Sequence, residues 1–308
     1  VNVETPVPTV TLVVTLDGSN LLHDAQNTED APVEIDEQGE ALLEAALAAE
    51  EVVIPPNSGS LLVDEATSRF SGAIWYSAIQ SKIITLAGVG GIGSYVGFLL
   101  ARLKPAVLYL YDPDIVEQAN MSGQLYGSGD LGQAKVSSLH RMLQVYANYY
   151  YSVAYQERFT AESEATDIMI CGFDNMEARS LFFDKWLEHV GNKPEGERSK
   201  CLFIDGRLAA EEFQVFAIQG NDERAIVEYK NRWLFSDAAA DETTFAPAAF
   251  ARSGMISGTG LAMANMIASV MVNLFVNFVA NECNPIIDRD VPFMTQYSAD
   301  TMYFKVEM

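Results

Sequence analysis

The chain has 308 residues, 49% of them apolar, which is enough for a sizeable core in one large domain or two small ones. Its 42 acidic side chains against 19 basic ones leave a net charge of −23, a surface that repels phosphate backbones and anionic lipid and argues against nucleic acid as a general partner. The three cysteines (Cys171, Cys201, Cys283) and three histidines (His23, His140, His189) are widely spaced with no Cys-x-x-Cys pair, so neither a disulfide framework nor a zinc site is expected.

Residues 1–65 read as an acidic extension. Thr9 to Leu16 suits a strand, residues 17–40 are acidic and turn-rich, and Glu40 to Glu51 is an alanine- and glutamate-rich helix candidate. Pro55 to Ser60 punctuates the chain as a linker. No basic segment followed by an apolar run appears near the start, so no signal peptide is read and a reducing, cytoplasmic setting is expected.

From residue 66 to 308 the pattern changes to strands alternating with helices. Strands are expected over 82–87, 106–111, 167–171, 201–204 and 213–218, with a late edge strand over 301–306. Helices are expected over 91–103, 131–149 and 176–190. Such alternation implies an α/β fold with a doubly wound, mostly parallel Rossmann-like sheet. Leu261 to Ala280 carries no charge and is long enough to cross a bilayer. Asn265, Ser269, Asn273, Asn277 and Asn281 nevertheless recur every four residues, a polar stripe that would be costly in hydrocarbon, so a core helix and no membrane span is expected.

The sharpest local signal is Gly88-Val89-Gly90-Gly91-Ile92-Gly93, set between an expected strand and an expected helix. Gly88 permits the tight turn, Gly90 lets backbone approach phosphate, and Gly93 lets helix pack on strand. The helix N-terminus behind Gly91 then offers N–H groups and a positive dipole end to an anion. Asp112 ends the second strand, where an acid accepts hydrogen bonds from ribose hydroxyls. At this point a nicotinamide-dependent dehydrogenase fits as well as an ATP enzyme.

The next blocks separate them. Asp112-Pro113-Asp114-Ile115-Val116 leads into Asn120-Met121-Ser122-Gly123-Gln124, followed by Asp130-Leu131-Gly132-Gln133-Ala134-Lys135. Gly172-Phe173-Asp174-Asn175 and Arg179 come later, then the CLFIDG run from Cys201 to Gly206. With Arg69-Phe70-Ser71 upstream, this ordered set resembles the ThiF/MoeB and ubiquitin-activating enzyme family over about residues 66 to 282. The resemblance implies an ATP-dependent adenylyltransferase that activates the C-terminal carboxylate, ending in glycine, of a small ubiquitin-like or sulfur-carrier protein. It implies Asp112 on the ribose, Asn120 and Lys135 on the phosphates, and Asp174 as the ligand of Mg²⁺. Gly88, Gly90, Gly91, Gly93, Asp114 and Gln124 complete the nucleotide-binding set. Arg69 would reach a neighbouring site in a homodimer or in a heterodimer with a related domain. Adenylation asks for positioning and charge compensation more than covalent help, and this set supplies both.

Each residue also has a plainer reading. Asp112 before Pro113 suits a turn, Lys135 a solvated helix start, Asp174 a helix N-cap, and Arg179 a surface ion pair. The pattern breaks in places as well. The family's arginine in Asn-Leu-x-Arg-Gln falls on Gly123, the second arginine of the upstream segment falls on Gly72, and Ala119 stands for serine. Arg141 and Arg252 are the available stand-ins. The loop from Phe245 to Gly258 holds no thiol, so adenylation without a thioester on this chain is expected. The competing reading is a catalytically impaired scaffold or regulatory relative that keeps the fold.

Overall fold

The computed structural model describes residues 70, 72–209, 211–235, 260–284 and 288–308. The strand over 9–16, the helix over 40–51, the linker, Arg69, Arg252 and the loop over 245–258 lie outside the described residues.

The elements follow one another as α1 (Ile74–Ile79), β1 (Ile83–Ala87), α2 (Gly91–Leu103), β2 (Val107–Tyr111), α3 (Lys135–Ala147), β3 (Ser152–Tyr155) and β4 (Ile168–Cys171). There follow α4 (Met176–Gly191), α5 (Glu195–Arg198), β5 (Leu202–Leu208), β6 (Glu212–Gln219), α6 (Glu223–Glu228), α7 (Gly260–Cys283), β7 (Met294–Ser298) and β8 (Tyr303–Glu307). They build an eight-stranded sheet in the order β3-β2-β1-β4-β5-β6-β7-β8. The first five strands are parallel, and the last three extend the sheet by antiparallel pairing.

The parallel strands are apolar on both faces because both faces are covered. In β4, Ile168 and Ile170 point into one core while Met169 and Cys171 point into the other. The larger core takes Val96 and Leu100 of α2, Val136, Leu139 and Leu143 of α3, and Ile267, Met271 and Phe275 of α7. The opposite core is aromatic, built from Phe182, Phe183 and Trp186 of α4 against Phe203 and Phe216, with Tyr229 in the turn of π-helix that follows α6. The four-residue spacing of these apolar side chains is what makes each segment a helix with one buried stripe.

Helix α7 is long and apolar enough to cross a membrane, yet 61% of its most apolar window is buried within the fold. Its polar stripe faces outward: Asn265, Ser269 and Asn273 are exposed. Further along, Asn281 Nδ2 donates to Arg289 O at 2.8 Å, Asn281 Oδ1 accepts from Arg289 N at 2.8 Å, and Asn277 Nδ2 donates to Asp290 O at 3.1 Å.

Candidate functional site

The strand order reverses direction between β1 and β4, and in such sheets ligands bind in the crevice beyond the carboxyl ends at that point. Two glycines sit there back to back. Gly88 has a positive φ of 81°, and a Cβ on it would lie 2.7 Å from the carbonyl of Gly172. A Cβ on Gly172 would in turn lie 2.6 Å from Gly88 O, and one on Gly93 only 1.8 Å from the same oxygen. These three positions are required by backbone packing. Gly90 and Gly91 differ: an added Cβ would meet only Gln124 Nε2 at 3.7 Å and Gly123 O at 3.9 Å. The motif thus divides into glycines that close the fold and glycines that leave room over the start of α2.

Asp112 is buried beside this loop. Its Oδ2 accepts from Val89 N at 2.8 Å and its Oδ1 from Asp114 N at 2.9 Å. Burial pushes its carboxyl upward, opposed by the Asp114 N–H and the positive charge of Lys135. The turn reading of Asp112 therefore holds in part, since it organises the backbone around Pro113, while each oxygen keeps a second lone pair for a hydroxyl. Lys135 opens α3 with its side chain only 8% exposed and its ammonium 2.9 Å from Asp114 Oδ2. It is not a solvated surface residue.

Between these lies a turn of 3-10 helix, Gln118–Ser122, closed by Asn120, whose Oδ1 accepts from Glu117 N at 2.8 Å. Any phosphate contact from Asn120 would come through its Nδ2. Gln124 follows, with its side-chain oxygen buried and without a partner among the described residues. Two residues that the sequence did not single out sew this segment to the glycine loop. Tyr126 donates from its hydroxyl to Val89 O at 2.6 Å, and Ser94 Oγ accepts from Leu125 N at 3.2 Å. A Cβ added at Gly72 or Gly123 would meet nothing within 4 Å among the described residues. Arg141, named as a stand-in for the missing arginines, has its guanidinium engaged by Asp130 and by Gln133 Oε1.

Asp174 lies two residues beyond Gly172 and is exposed, with Asn175 Nδ2 at 3.2 Å. The N-cap of α4 is Asn175, which accepts from Ala178 N at 2.8 Å, so Asp174 is not the cap. An exposed carboxylate on a turn pinned by Gly172 suits a hard cation such as Mg²⁺.

Beneath this turn the sequence reading of Arg179 as a surface pair fails. Arg179 is buried, donates from Nε to Asp205 Oδ1 at 2.7 Å, and donates from Nη2 to Phe173 O at 2.7 Å. The other oxygen of Asp205 accepts from Arg207 Nε at 2.7 Å and from the Tyr229 hydroxyl at 2.8 Å. Burial works to raise the Asp205 carboxyl, but the two arginines outweigh it and hold it at about 2. Arg207 also lies over the rings of Phe216 and Tyr229. Cys171, in register with Asp205, is pushed up to about 12 by burial, so it stays an unreactive thiol at neutral pH. A separate cleft of about 560 Å³ lies beside Tyr109, Tyr111 and Tyr155, apart from the glycine loop.

A family-wide sequence pattern, that of the ThiF family, matches residues 65–306. The ubiquitin-like modifier-activating enzyme 5 of Drosophila mojavensis is 31% identical over 121 residues, 34% of this chain and 30% of that protein. Its counterpart in Caenorhabditis elegans is 40% identical over 63 residues, 20% of this chain and 15% of that protein. The chain thus spans about a third or less of the length of these curated relatives. Among solved structures, PaaA superposes with a TM-score of 0.57 at 16% identity, covering 89% of this chain and 83% of that one. MccB of E. coli, solved with ATP, gives 0.55 at 13% identity, covering 89% and 79%. At such identities these two likenesses establish the fold.

Proposed function

Because the chain belongs to the ThiF family, we propose that it is an ATP-dependent adenylyltransferase acting on the C-terminal carboxylate of a small ubiquitin-like or sulfur-carrier protein. The observation that carries this reading is the meeting of Gly88 and Gly172, which brings the anion-binding loop and the Asp174 turn to one switch point beside Asp112 and Lys135.

In this reading the polyphosphate lies over Gly90 and Gly91 at the start of α2, where backbone N–H groups face it. Asp112, already holding Val89 N and Asp114 N, accepts a ribose hydroxyl with a remaining lone pair. Lys135 transfers its ammonium from Asp114 to the phosphates, and Asn120 donates from Nδ2. Asp174 would hold Mg²⁺, which offsets charge on the departing pyrophosphate. An oxygen of the partner's terminal glycine carboxylate attacks the α-phosphorus, the bond to the bridging oxygen breaks, and pyrophosphate leaves with that electron pair. The product is an acyl-adenylate, released without a thioester on this chain. A dimer, with Arg69 of one copy reaching the other's site, belongs to the same reading.

Calorimetric titration with Mg²⁺–ATP, with NAD as control and Asp174→Ala alongside, tests the site; pyrophosphate exchange with glycine-ended partners tests the reaction. ATP binding that ignores Asp174→Ala would sink the assignment of the metal ligand. A second reading, a nucleotide-binding scaffold without turnover, is favoured by the space left at Gly123 and by the engagement of Arg141 with Asp130. Tight ATP binding with no exchange is its signature.

A further inference from the structure

From the end of the sheet opposite the glycine loop we infer a second site, a tripod of Asp167, His189 and Cys201 that takes a zinc ion. The three residues are 22 and 12 positions apart in sequence, yet one ligand atom from each lies within 4.8 Å of the other two. Tetrahedral zinc with bonds of about 2.0–2.3 Å spaces its ligand atoms about 3.3–3.8 Å apart, so the wider separations close slightly while His189 Nε2 and Asp167 Oδ1, 2.7 Å apart, open slightly. Thiolate, imidazole and a single carboxylate make a set that suits zinc and disfavours Mg²⁺ or Ca²⁺, which require oxygens.

The ligands are carried on rigid structure. Asp167 immediately precedes β4, and its carbonyl accepts from Leu202 N at 2.9 Å and from Trp186 Nε1 at 3.2 Å. Cys201 immediately precedes β5, buried, with its N donating to Arg198 O and its O accepting from Gly220 N. His189 lies in the last turn of α4. The side chains of Asp167 and His189 are 40% and 28% exposed, which leaves an approach and a fourth position to solvent.

Two donors now occupy the position: His189 Nε2 and Lys193 Nζ both lie 2.7 Å from Asp167 Oδ1. Lys193 supplies the positive charge that the ion would bring. On binding, the Cys201 S–H bond breaks, its proton leaves to solvent, and a sulfur–zinc bond forms. His189 gives up the Nε2 proton it donates to Asp167, which leaves to solvent while the ring keeps or takes its other proton on Nδ1, so the freed Nε2 lone pair meets the ion, and Lys193 withdraws. Lys193 is thus a competitor, and its removal has a predictable sign.

Titration of the full chain with Co²⁺ as the spectroscopic probe, followed by displacement with Zn²⁺, tests this. The expected result is one equivalent with thiolate-to-cobalt absorption, lost in Cys201→Ser. His189→Ala should weaken binding by about 10–100-fold, and Lys193→Gln should tighten it several-fold. Retained Mg²⁺–ATP binding or an unchanged far-ultraviolet spectrum identifies folded variants, and the partly exposed His189 carries the test if Cys201→Ser does not fold. Absence of a thiolate band, a band that survives Cys201→Ser, or affinity indifferent to both His189→Ala and Lys193→Gln would overturn the site.

Discussion

The two sides of the β4 exit are built on opposite terms. On the glycine side, backbone packs against backbone and polar groups are left partly uncommitted among the described residues: Asp174 is exposed, the Gln124 side-chain oxygen has no partner, and a Cβ at Gly123 would meet nothing within 4 Å. On the Asp205 side, a few residues along the same sheet, the carboxylate has both oxygens engaged by buried donors. The first region leaves polar groups open, as the proposed nucleotide site requires, and the second neutralises charge already within. Arg179 joins them, because the guanidinium that pairs with Asp205 also holds the carbonyl of Phe173, next to Asp174.

That contrast can be broken most forcefully at Asp205. Asp205→Ala leaves Arg179 and Arg207 buried without their anion and should cost about 3–5 kcal/mol, read as a lowered denaturation midpoint. The wild-type carboxyl, held at about 2 against an ordinary value of 3.8, contributes stability above pH 4 that is lost as pH falls toward 2. Acid unfolding in that window should therefore flatten in the variant. On the glycine side, Lys135→Ala should spare the fold while lowering pyrophosphate exchange by about 10²–10³-fold, the scale of removing one charge-stabilising donor. Equal loss of thermal stability in both variants would erase the distinction drawn between the two regions.

Gly93→Ala tests the shared backbone. Its methyl would need to displace Gly88 O, so about 1–3 kcal/mol of stability should go, together with ATP affinity. Gly123→Arg probes the opposite quality, since its φ of −136° suits any residue and a Cβ there meets nothing within 4 Å among the described residues. A charged hydrogen bond to phosphate contributes about 1.5–3 kcal/mol, so ATP should bind at least about tenfold tighter. No gain would mean that the phosphates lie elsewhere. The smallest effect belongs to His140, outside both regions, whose ring nitrogens lie against Ser152 Oγ and Gln144 Nε2. Burial lowers its titration below 6.5, so its contribution is present above that pH and falls away as the solution is acidified. His140→Asn should remove that slope, a change of under about 1 kcal/mol.

Much of this was legible because it is local. The strand–glycine–helix transition, the α2 span and the apolar runs of β1, β2 and β4 are written in consecutive residues, and the structure places them within a residue of the sequence reading. What escaped depends on distant partners. Strand β3 is four residues in a tyrosine-rich stretch, visible as a strand only through its pairing with β2. Strand β5 continues past Ile204 through Asp205, Gly206 and Arg207, a run that reads as a loop until Arg179, 26 positions upstream in sequence, supplies the counter-charge. Cys201 and His189 looked unrelated for the same reason. Lys135, Asp112 and Asp174 are candidates that the motif names, whereas the link from Tyr126 to Val89 has no signature of its own.

The asparagines on the outer face of α7 bear on strand register. Asn281 exchanges two hydrogen bonds with the backbone of Arg289, the same donor–acceptor pair that a neighbouring strand would offer. A slip of the chain by one residue would forfeit both and would also turn every side chain of β7 to the wrong side of the sheet. The amide side chains of α7 thus hold the returning chain at residues 289 and 290, a few positions before β7, and so help to fix the register in which β7 pairs with β6.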